Sequence, residues 1–303
     1  MLSRFLSYVE IKTKITSAFA FLLSLAYLFY IGQPVDWHRT LVFFASMFLF
    51  DLTTTALNNY IDTKTNHQTL QFRRPAALAI FFILLALSIA SGLYLFHLTD
   101  IVVLLAGGLC FATGILYTFG PLPISRLPLG EVMSGLFYGF FIPFLILYIN
   151  MPAGTYLTLG LIQPGPAVSL TLNLLPLATV VLLAAAPVFT TANIMLANNI
   201  CDLEKDIAVK RHTLPYYIGG RALTLFAWTY YAVYVVDIAM VAAGMLHPLV
   251  LASLVTLIPV WKNINKFRKT QDKQTTFHVS IINYVVIMGS HTLLIFLSGF
   301  IGG

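Results

Sequence analysis

The chain has 303 residues, of which 59% are hydrophobic and 9% are charged, and its mean hydropathy is +0.87. A water-soluble domain of this length cannot expose so much apolar surface, so the composition excludes a soluble globular protein and indicates one embedded in a lipid bilayer. The net charge of +6 does not indicate nucleic-acid binding, because the basic residues lie in short segments between apolar runs. The two cysteines, Cys110 and Cys201, are too few for a disulfide framework.

The first apolar run, 15–31, follows Arg4, Lys12 and Lys14 and has the general order of a secretory signal peptide. It is longer than a usual signal core, however, and it ends in Gly32-Gln33-Pro34 without a small-residue cleavage pattern. The run is therefore predicted to be the first transmembrane helix.

Nine apolar runs are close to the length of about 20 residues that a helix needs to cross a bilayer. Only helices and closed barrels satisfy their backbone groups in lipid, and these runs lack the alternation of a barrel strand. The prediction is an all-α, polytopic membrane protein. The nine predicted spans are 15–31, 41–57, 76–96, 101–119, 132–149, 174–197, 222–240, 246–261 and 279–301.

The distribution of positive charge predicts the orientation of the chain in the cell membrane. If the amino terminus is cytoplasmic, the inner segments hold every Lys and Arg of the 17 except Arg39. This asymmetry agrees with the positive-inside rule and places the amino terminus inside. The outer connection 150–173 is rich in Pro and Gly, carries no charge, and is expected to be a cap without chemistry.

Two copies of one polar motif, N-N-x-x-D, lie at the ends of the second and sixth predicted spans. The first copy is Asn58-Asn59-Tyr60-Ile61-Asp62, and the second is Asn198-Asn199-Ile200-Cys201-Asp202. A basic pair follows each copy, Arg73-Arg74 after the first and Lys210-Arg211 after the second. Because the copies are four spans apart, a single domain over 1–303 with an internal duplication is plausible, spans 1–4 corresponding to spans 5–8.

The motif spacing predicts two stripes of oxygen-bearing side chains, since residues four apart share one helix face. The first stripe consists of Asn58 and Asp62, and the second of Asn198, Asp202 and Asp206. Asp51 lies on the same helix face as the first stripe, three turns deeper in the membrane. Carboxylates at a membrane edge are costly unless they bind something, and Mg²⁺ takes oxygen ligands together with substrate phosphates. The spacing therefore favours a Mg²⁺–diphosphate site, and no His or Cys is spaced for zinc. The alternative is that these residues only join neighbouring helices.

The loop between spans four and five is a third candidate segment. It contains Tyr117 and Arg126, several Gly and Pro residues that define a turn, and then Leu129-Gly130-Glu131. Arg126 or Tyr117 is expected to contact the diphosphate and Glu131 to lie near the acceptor, although the segment could equally be an ordinary interfacial turn.

Basic residues elsewhere have a simpler interpretation. Lys12 and Lys14 are either orientation charges or contacts to an acidic aromatic ring. The stretch 262–273 is expected to be a solvated loop near anionic head groups.

With these motifs on helices two and six, the chain resembles the UbiA superfamily of intramembrane prenyltransferases over nearly its whole length. The segment Asn198 to Asp206, the bases Lys210-Arg211 and the residues around Tyr117 and Glu131 are most similar to the 1,4-dihydroxy-2-naphthoate polyprenyltransferases, the MenA-like branch. The resemblance implies nine helices around a central cavity open to the cytoplasm, a Mg²⁺ cofactor, and two substrates, a polyprenyl diphosphate and an aromatic acid or phenol. It implies no obligate protein partner.

The chain departs from the family pattern at several positions. Asn59 and Asn66 stand where the family usually has Asp, so the first motif offers one certain carboxylate. Val209 replaces the usual Gly before the basic pair, and Lys12-Thr13-Lys14 stands where Arg-Pro is common.

The resulting hypothesis is Mg²⁺-dependent transfer of a polyprenyl group, with Asp62, Asp202 and Asp206 as catalytic residues and metal ligands. Asn58 and Asn198 complete the metal site. The predicted diphosphate contacts are Arg73, Arg74, Tyr117, Arg126, Lys210 and Arg211, and the predicted acceptor contacts are Lys12, Lys14, Asp51 and Glu131. The general base is left open among Asp51, Asp62 and Glu131. Rival hypotheses are a 4-hydroxybenzoate or other phenolic acceptor, and a polytopic transporter using midplane acids such as Asp51 and Asp237.

Overall fold

A computed structural model describes residues 1–64, 69–120, 123–162 and 167–301. The α-helices, in chain order, are α1 Leu2–Tyr8, α2 Ile15–Tyr30, α3 Trp37–Asp62, α4 Arg74–Leu98, α5 Ile101–Thr118, α6 Gly130–Ser134, α7 Ile142–Asn150, α8 Leu174–Leu183, α9 Ala185–Cys201, α10 Leu203–Ala208, α11 Leu214–Ile218, α12 Arg221–Ala242, α13 Leu257–Lys269 and α14 His278–Ser298. Segments of 3₁₀-helix cover Ile11–Lys14, Ile124–Arg126 and Pro248–Thr256, and a π-helical segment, Gly135–Phe141, joins α6 to α7.

Each predicted span corresponds to helix in the described parts of the chain. Eight helical segments are long and apolar enough to cross a membrane: Ile11–Tyr30, Trp37–Asp62, Arg74–Leu98, Ile101–Thr118, Gly130–Asn150, Arg221–Ala242, Pro248–Lys269 and His278–Ser298. The region predicted as span six is instead two helices, α8 and α9, bent by 42° at Ala184. The helical membrane fold is thus confirmed, and a ninth span depends on whether this bent pair crosses as one unit.

The connection 150–173 contains a structure that the hydropathy pattern did not predict. Strands β1 (Leu157–Ile162) and β2 (Ala167–Leu172) pair antiparallel, with Leu157 opposite Leu172. Burial raises the pKa of Tyr156, which directly precedes β1. Residues 163–166 of this connection lie outside the described residues.

The chain divides into two compact units. The first consists of Met1–Ala18 and Asp36–Leu127, and the second of Phe19–Val35 and Pro128–Gly303. In the first unit, Tyr8 is fully buried and its hydroxyl donates to the carbonyl oxygens of Ala56 at 2.9 Å and Ala77 at 3.2 Å. These bonds fasten α1 to α3 and α4, and the same burial, with Tyr60 nearby, raises the pKa of Tyr8 to about 12.

In the second unit, α9 crosses the α6–α7 segment at unusually short range. A Cβ atom added to Gly135 would lie 2.9 Å from the Val188 carbonyl oxygen, and one added to Gly139 would overlap the Val188 backbone. Small residues four apart allow membrane helices to approach in this way. The close crossing sets the position of Glu131, one turn before Gly135, beside α9.

Candidate active site

The first motif lies on the last turns of α3, which continues to Asp62 and so places Asn58 and Asp62 on one helix at a spacing of four residues. The Asn58 Oδ1 atom accepts a hydrogen bond from Thr118 Oγ1 at 3.4 Å. The Asn59 amide donates to the Tyr8 carbonyl oxygen at 2.8 Å and to Glu10 Oε1 at 3.2 Å. Asn59, which stands at a usual Asp position, therefore holds α3 to the amino-terminal segment. Asn66 lies outside the described residues.

The two arginines after this motif have different surroundings. The Arg74 guanidinium donates to the carbonyl oxygens of Tyr60 at 3.2 Å and Thr63 at 3.3 Å, and it lies 5.4 Å from the centre of the Tyr60 ring. It thus satisfies carbonyl groups that the end of α3 leaves without helical partners. Arg73, the residue before α4, is exposed and is the better placed of the two to meet a soluble anion.

Lys14 and Asp51 form a buried ion pair, with 2.7 Å between Nζ and Oδ1. The same ammonium donates to the Asp51 carbonyl oxygen at 3.0 Å and to Thr55 Oγ1 at 2.5 Å, while Ser17 Oγ donates to Asp51 Oδ2 at 2.8 Å. A lysine has three N–H donors, so Lys14 uses its full capacity inside the protein. Lys12, in contrast, is exposed.

The second motif spans a break in the helix. Helix α9 ends at Cys201, and α10 begins at Leu203. Even so, the Asp202 N–H donates to the Asn198 carbonyl oxygen at 3.0 Å, and the Asp206 N–H donates to that of Asp202 at 2.8 Å. These bonds preserve the four-residue spacing across the break.

Three bases contact the carboxylates of this motif. Lys273 donates to Asp202 Oδ2 at 2.6 Å and also to Asn198 Oδ1, while Lys205 lies 3.9 Å from Asp202 Oδ1. Arg211 Nε lies 3.6 Å from Asp206 Oδ1. The sequence predicts that Lys273 lies in a solvated loop and gives no sign of these contacts, because its partners are more than 70 positions away along the chain.

Lys210 adopts an unusual backbone conformation, with φ of +57°. The N–H of Lys210 donates to the Ile207 carbonyl oxygen at 3.0 Å and that of Arg211 to the Asp206 carbonyl oxygen at 2.8 Å. This pattern is a Schellman motif that ends α10, with Lys210 at the left-handed position. It leaves the Lys210 side chain exposed beside Arg211.

Glu131, predicted to lie near the acceptor, is buried and pairs with the second motif. The Asn199 Nδ2 atom donates to Glu131 Oε1 at 2.9 Å. Glu131 Oε2 and Asn199 Oδ1 are buried without a hydrogen-bond partner in the described part of the chain. Asn199 therefore faces α6, on a different side of α9 from the contacts of Asn198.

Tyr117 and Arg126 belong to the end of the first unit. Tyr117 is half-buried on the last turn of α5, and Arg126 is exposed in the 3₁₀ turn Ile124–Arg126. Pro121 and Leu122, which lie between them, are outside the described residues.

The side-chain oxygen atoms of the second motif are suitable ligands for a hard divalent cation. The Lys273 ammonium contacts Asn198 Oδ1 and Asp202 Oδ2 together, so the two oxygen atoms lie close enough to share one cation. Amide and carboxylate oxygens are suitable ligands for Mg²⁺, which completes its shell with water and phosphate. Among the residues described, no group of three or more His, Cys, Asp or Glu side chains could hold a metal.

Comparison with known proteins identifies relatives of this architecture. The UbiA prenyltransferase family model matches residues 18–283. A 1,4-dihydroxy-2-naphthoate octaprenyltransferase from Bacillus subtilis (strain 168) is 27% identical over 163 residues. That alignment covers 54% of this chain and 45% of the relative, so the chain spans about half the length of the curated relative it matches.

Solved structures share the fold at low sequence identity. The structure of a digeranylgeranylglyceryl phosphate synthase has a TM-score of 0.66 and 15% identity, with 98% of each chain covered. A UbiA homologue from Archaeoglobus fulgidus, bound to GPP and Mg²⁺, has a TM-score of 0.63 and 15% identity, with 97% of this chain and 99% of that one covered. At these identities the structures establish the fold alone.

Proposed function

Because the chain belongs to the UbiA prenyltransferase family, we propose that it transfers a polyprenyl group from a polyprenyl diphosphate to an aromatic acceptor, with Mg²⁺ as cofactor. The observation that carries the proposal is the pair of oxygen ligands on the second motif, Asn198 and Asp202, which already share one cationic group in this structure. The Archaeoglobus fulgidus homologue, which binds GPP and Mg²⁺, supports this choice of donor and metal.

We assign metal binding to both motifs. The proposed ligands are Asn58, Asp62, Asn198, Asp202 and Asp206. When bound, Mg²⁺ would neutralise diphosphate oxygens and make the diphosphate a better leaving group. Asp62, Asp202 and Asp206 would orient the diphosphate through the metal.

The proposed contacts to the departing diphosphate are Arg73, Tyr117, Arg126, Lys210 and Arg211. The sequence also predicts Arg74 as a diphosphate contact, but its guanidinium caps α3, so we propose Arg73 ahead of it. Cations fixed where negative charge develops stabilise the transition state without further reorganisation. Departure of the diphosphate leaves an allylic cation, which an electron-rich ring carbon of the acceptor attacks.

For the acceptor we propose 1,4-dihydroxy-2-naphthoate, prenylated with loss of its carboxylate in menaquinone biosynthesis. The name of the Bacillus subtilis relative supports this choice over 4-hydroxybenzoate or another phenol. Lys12, Asp51 and Glu131 remain the proposed acceptor contacts, with Lys14 acting through its bond to Asp51.

The chain is a multi-pass membrane protein, and we propose that its active site faces the cytoplasm. The supporting observation is the concentration of Lys and Arg in the predicted inner segments, which include both basic pairs that follow the motifs.

One assay tests the reaction. Membranes containing the protein are given Mg²⁺, a radiolabelled prenyl diphosphate and a panel of aromatic acceptors, and the products are resolved by mass. We expect a prenylated, decarboxylated naphthoate product that disappears with a chelator. Solute flux without any prenylated product would instead support a transporter.

Variants of the second motif test the site. We expect D202N and D206N each to lower transfer by about 10²-fold or more, since each removes a charge that acts on the transition state. E204Q is the matched control, because Glu204 is an exposed acid on α10, between Asp202 and Asp206, and belongs to no proposed contact. Folded D202N and D206N proteins with the same activity as E204Q would contradict the assignment, and D62N tests the first motif in the same way.

A further inference from the structure

Lys273 occupies the oxygen atoms that the proposed metal requires. Its ammonium donates to Asp202 Oδ2 at 2.6 Å and to Asn198 Oδ1. Its side chain is about one-third exposed, at 36%, and the Asp202 side chain is 21% exposed, so the pair lies at an accessible surface. The ammonium lies between these two oxygens, in the position that a single metal ion would take to bridge them, so bridging by a metal requires Lys273 to move.

The backbone that carries Lys273 is held in a defined turn. Asp272 Oδ1 accepts from the Thr275 N–H at 2.8 Å, the Thr275 hydroxyl at 2.7 Å and the Gln274 N–H at 3.1 Å. On the other side, the Asp272 N–H donates to Thr276 Oγ1 at 2.9 Å. The hydrogen bonds from Thr275, the largest effect, lower the pKa of Asp272, which keeps this carboxylate ionised. The turn fixes the base of Lys273, whereas its four-carbon side chain has rotatable bonds that give the ammonium other possible positions.

We propose that Lys273 takes the place of the metal in the substrate-free enzyme and binds diphosphate in the substrate complex. Its ammonium neutralises Asp202 and donates to Asn198 Oδ1 in the substrate-free enzyme, and it moves to a diphosphate oxygen when the metal–diphosphate binds. This proposal rests on the proposed function. Without Lys273, the remaining ion-pair partner of Asp202 among the residues described would be Lys205, at 3.9 Å and with a side chain 80% exposed. Such an exposed pair contributes little. An ammonium also binds phosphate well, so the same group can serve both states.

Two binding measurements on the purified, detergent-solubilised protein test the proposal. The first is Mn²⁺ affinity without substrate, followed by electron paramagnetic resonance with Mn²⁺ in place of Mg²⁺. We expect K273M to bind Mn²⁺ several-fold more tightly than wild type, because the competing ammonium is gone. The second is affinity for geranyl diphosphate in the presence of Mg²⁺, which we expect to weaken about tenfold or more through loss of a charge-assisted hydrogen bond.

Matched variants separate these effects from a general change of charge. K269M removes an exposed lysine at the end of α13, four residues away, and is expected to leave both affinities unchanged. K273R keeps the charge and is expected to bind Mn²⁺ like wild type. K273Q serves if K273M unfolds, because its neutral amide also removes the charge and should weaken geranyl diphosphate binding relative to K269M.

The outcomes distinguish this proposal from the function on which it rests. If wild type binds Mn²⁺ and geranyl diphosphate while K273M, or K273Q in its place, matches K269M in both affinities, the Lys273 proposal is overturned and the prenyltransferase proposal stands. If wild type binds neither, both are overturned. Opposite shifts of the two affinities in K273M would support the exchange, and a parallel loss of both would show a merely structural lysine.

Discussion

The facing side chains of Glu131 and Asn199 form one hydrogen bond, and one oxygen atom of each has no hydrogen-bond partner among the residues described. The Asn199 Nδ2 atom donates to Glu131 Oε1, and the two remaining oxygen atoms are buried. A buried acceptor without a donor destabilises a protein by about 1–3 kcal/mol. A glutamine at position 131 would offer its own amide donor to the Asn199 oxygen while still accepting from Nδ2.

We therefore predict that E131Q keeps or raises the unfolding temperature of the solubilised protein. E131A should lower the unfolding temperature, because the loss of one buried hydrogen-bond partner reduces the free energy of unfolding by about 2 kcal/mol. The measurement is thermal unfolding in a single detergent. An E131Q protein as unstable as E131A would show that the negative charge itself is needed. Prenyl transfer by folded E131Q then reports separately on the proposed acceptor contact.

The residue with a left-handed backbone conformation, Lys210, lies one position after Val209, which stands where the family commonly has Gly. Lys210 has φ of +57°. Val209 has φ of −102°, which any residue adopts. A side chain in the left-handed region costs about 1–2 kcal/mol. A lysine in this strained conformation, with its ammonium exposed, is consistent with a use for that ammonium.

The prediction is that K210G stabilises the protein by about 0.5–1 kcal/mol, because glycine adopts the left-handed conformation without strain. V209G is its neighbour control and should destabilise by a similar amount, since it only adds backbone freedom to the unfolded chain. Chemical denaturation of both variants makes the comparison. If K210G gains stability but loses prenyl transfer, the lysine has been retained for binding, and equal destabilisation by both variants would refute this account.

At the scale of secondary-structure elements, the close crossing of α9 over the α6–α7 segment holds the second unit together near the site. A Cβ at Gly139 would overlap the Val188 backbone, and backbone atoms on a helix cannot give way as a flexible side chain can. Gly108, in the middle of α5, has open space where its Cβ would be. The chain thus provides two helical glycines with opposite surroundings.

We expect G139A to destabilise the protein by more than about 2 kcal/mol through forced separation of the helices. G108A should be neutral or stabilising by up to about 1 kcal/mol, because alanine favours a helix over glycine. Unfolding temperatures of the two variants test the difference. Comparable values for G139A and G108A would mean that the helices do not approach as closely as the structure shows.

At the scale of the whole molecule, orientation is the property that hydropathy and charge predict but the fold does not test. We predict that a membrane-impermeant maleimide labels A153C, in the outer connection, on intact cells and labels K269C only in inside-out vesicles. Both cysteines would be placed in a C110A/C201A background, which removes the two native thiols. The reverse labelling pattern would place the amino terminus outside.

The membrane helices could be predicted well because lipid imposes a strict rule on the chain, namely that each spanning segment satisfies its own backbone. The ends of the helices were harder to predict from the sequence. Helix α3 continues through the polar motif to Asp62, beyond the predicted end at 57, since motif side chains find partners such as Thr118 and Tyr8. The bend at Ala184 and the β-hairpin leave no hydropathy signal, because apolar composition is the same in a straight helix, a bent pair and a strand.

The sequence by itself determined the helical membrane fold, the two N-N-x-x-D motifs and their four-residue spacing, because periodicity and hydropathy act over neighbouring residues. Only the tertiary structure decided which polar groups are already occupied. It paired Lys14 with Asp51, used Arg74 to cap α3, joined Glu131 to Asn199 and brought Lys273 to Asp202 from the far end of the chain. Except for the nearby Arg74 cap, these bonds depend on distances between segments remote in sequence. The packing of side chains, rather than local pattern, sets such distances.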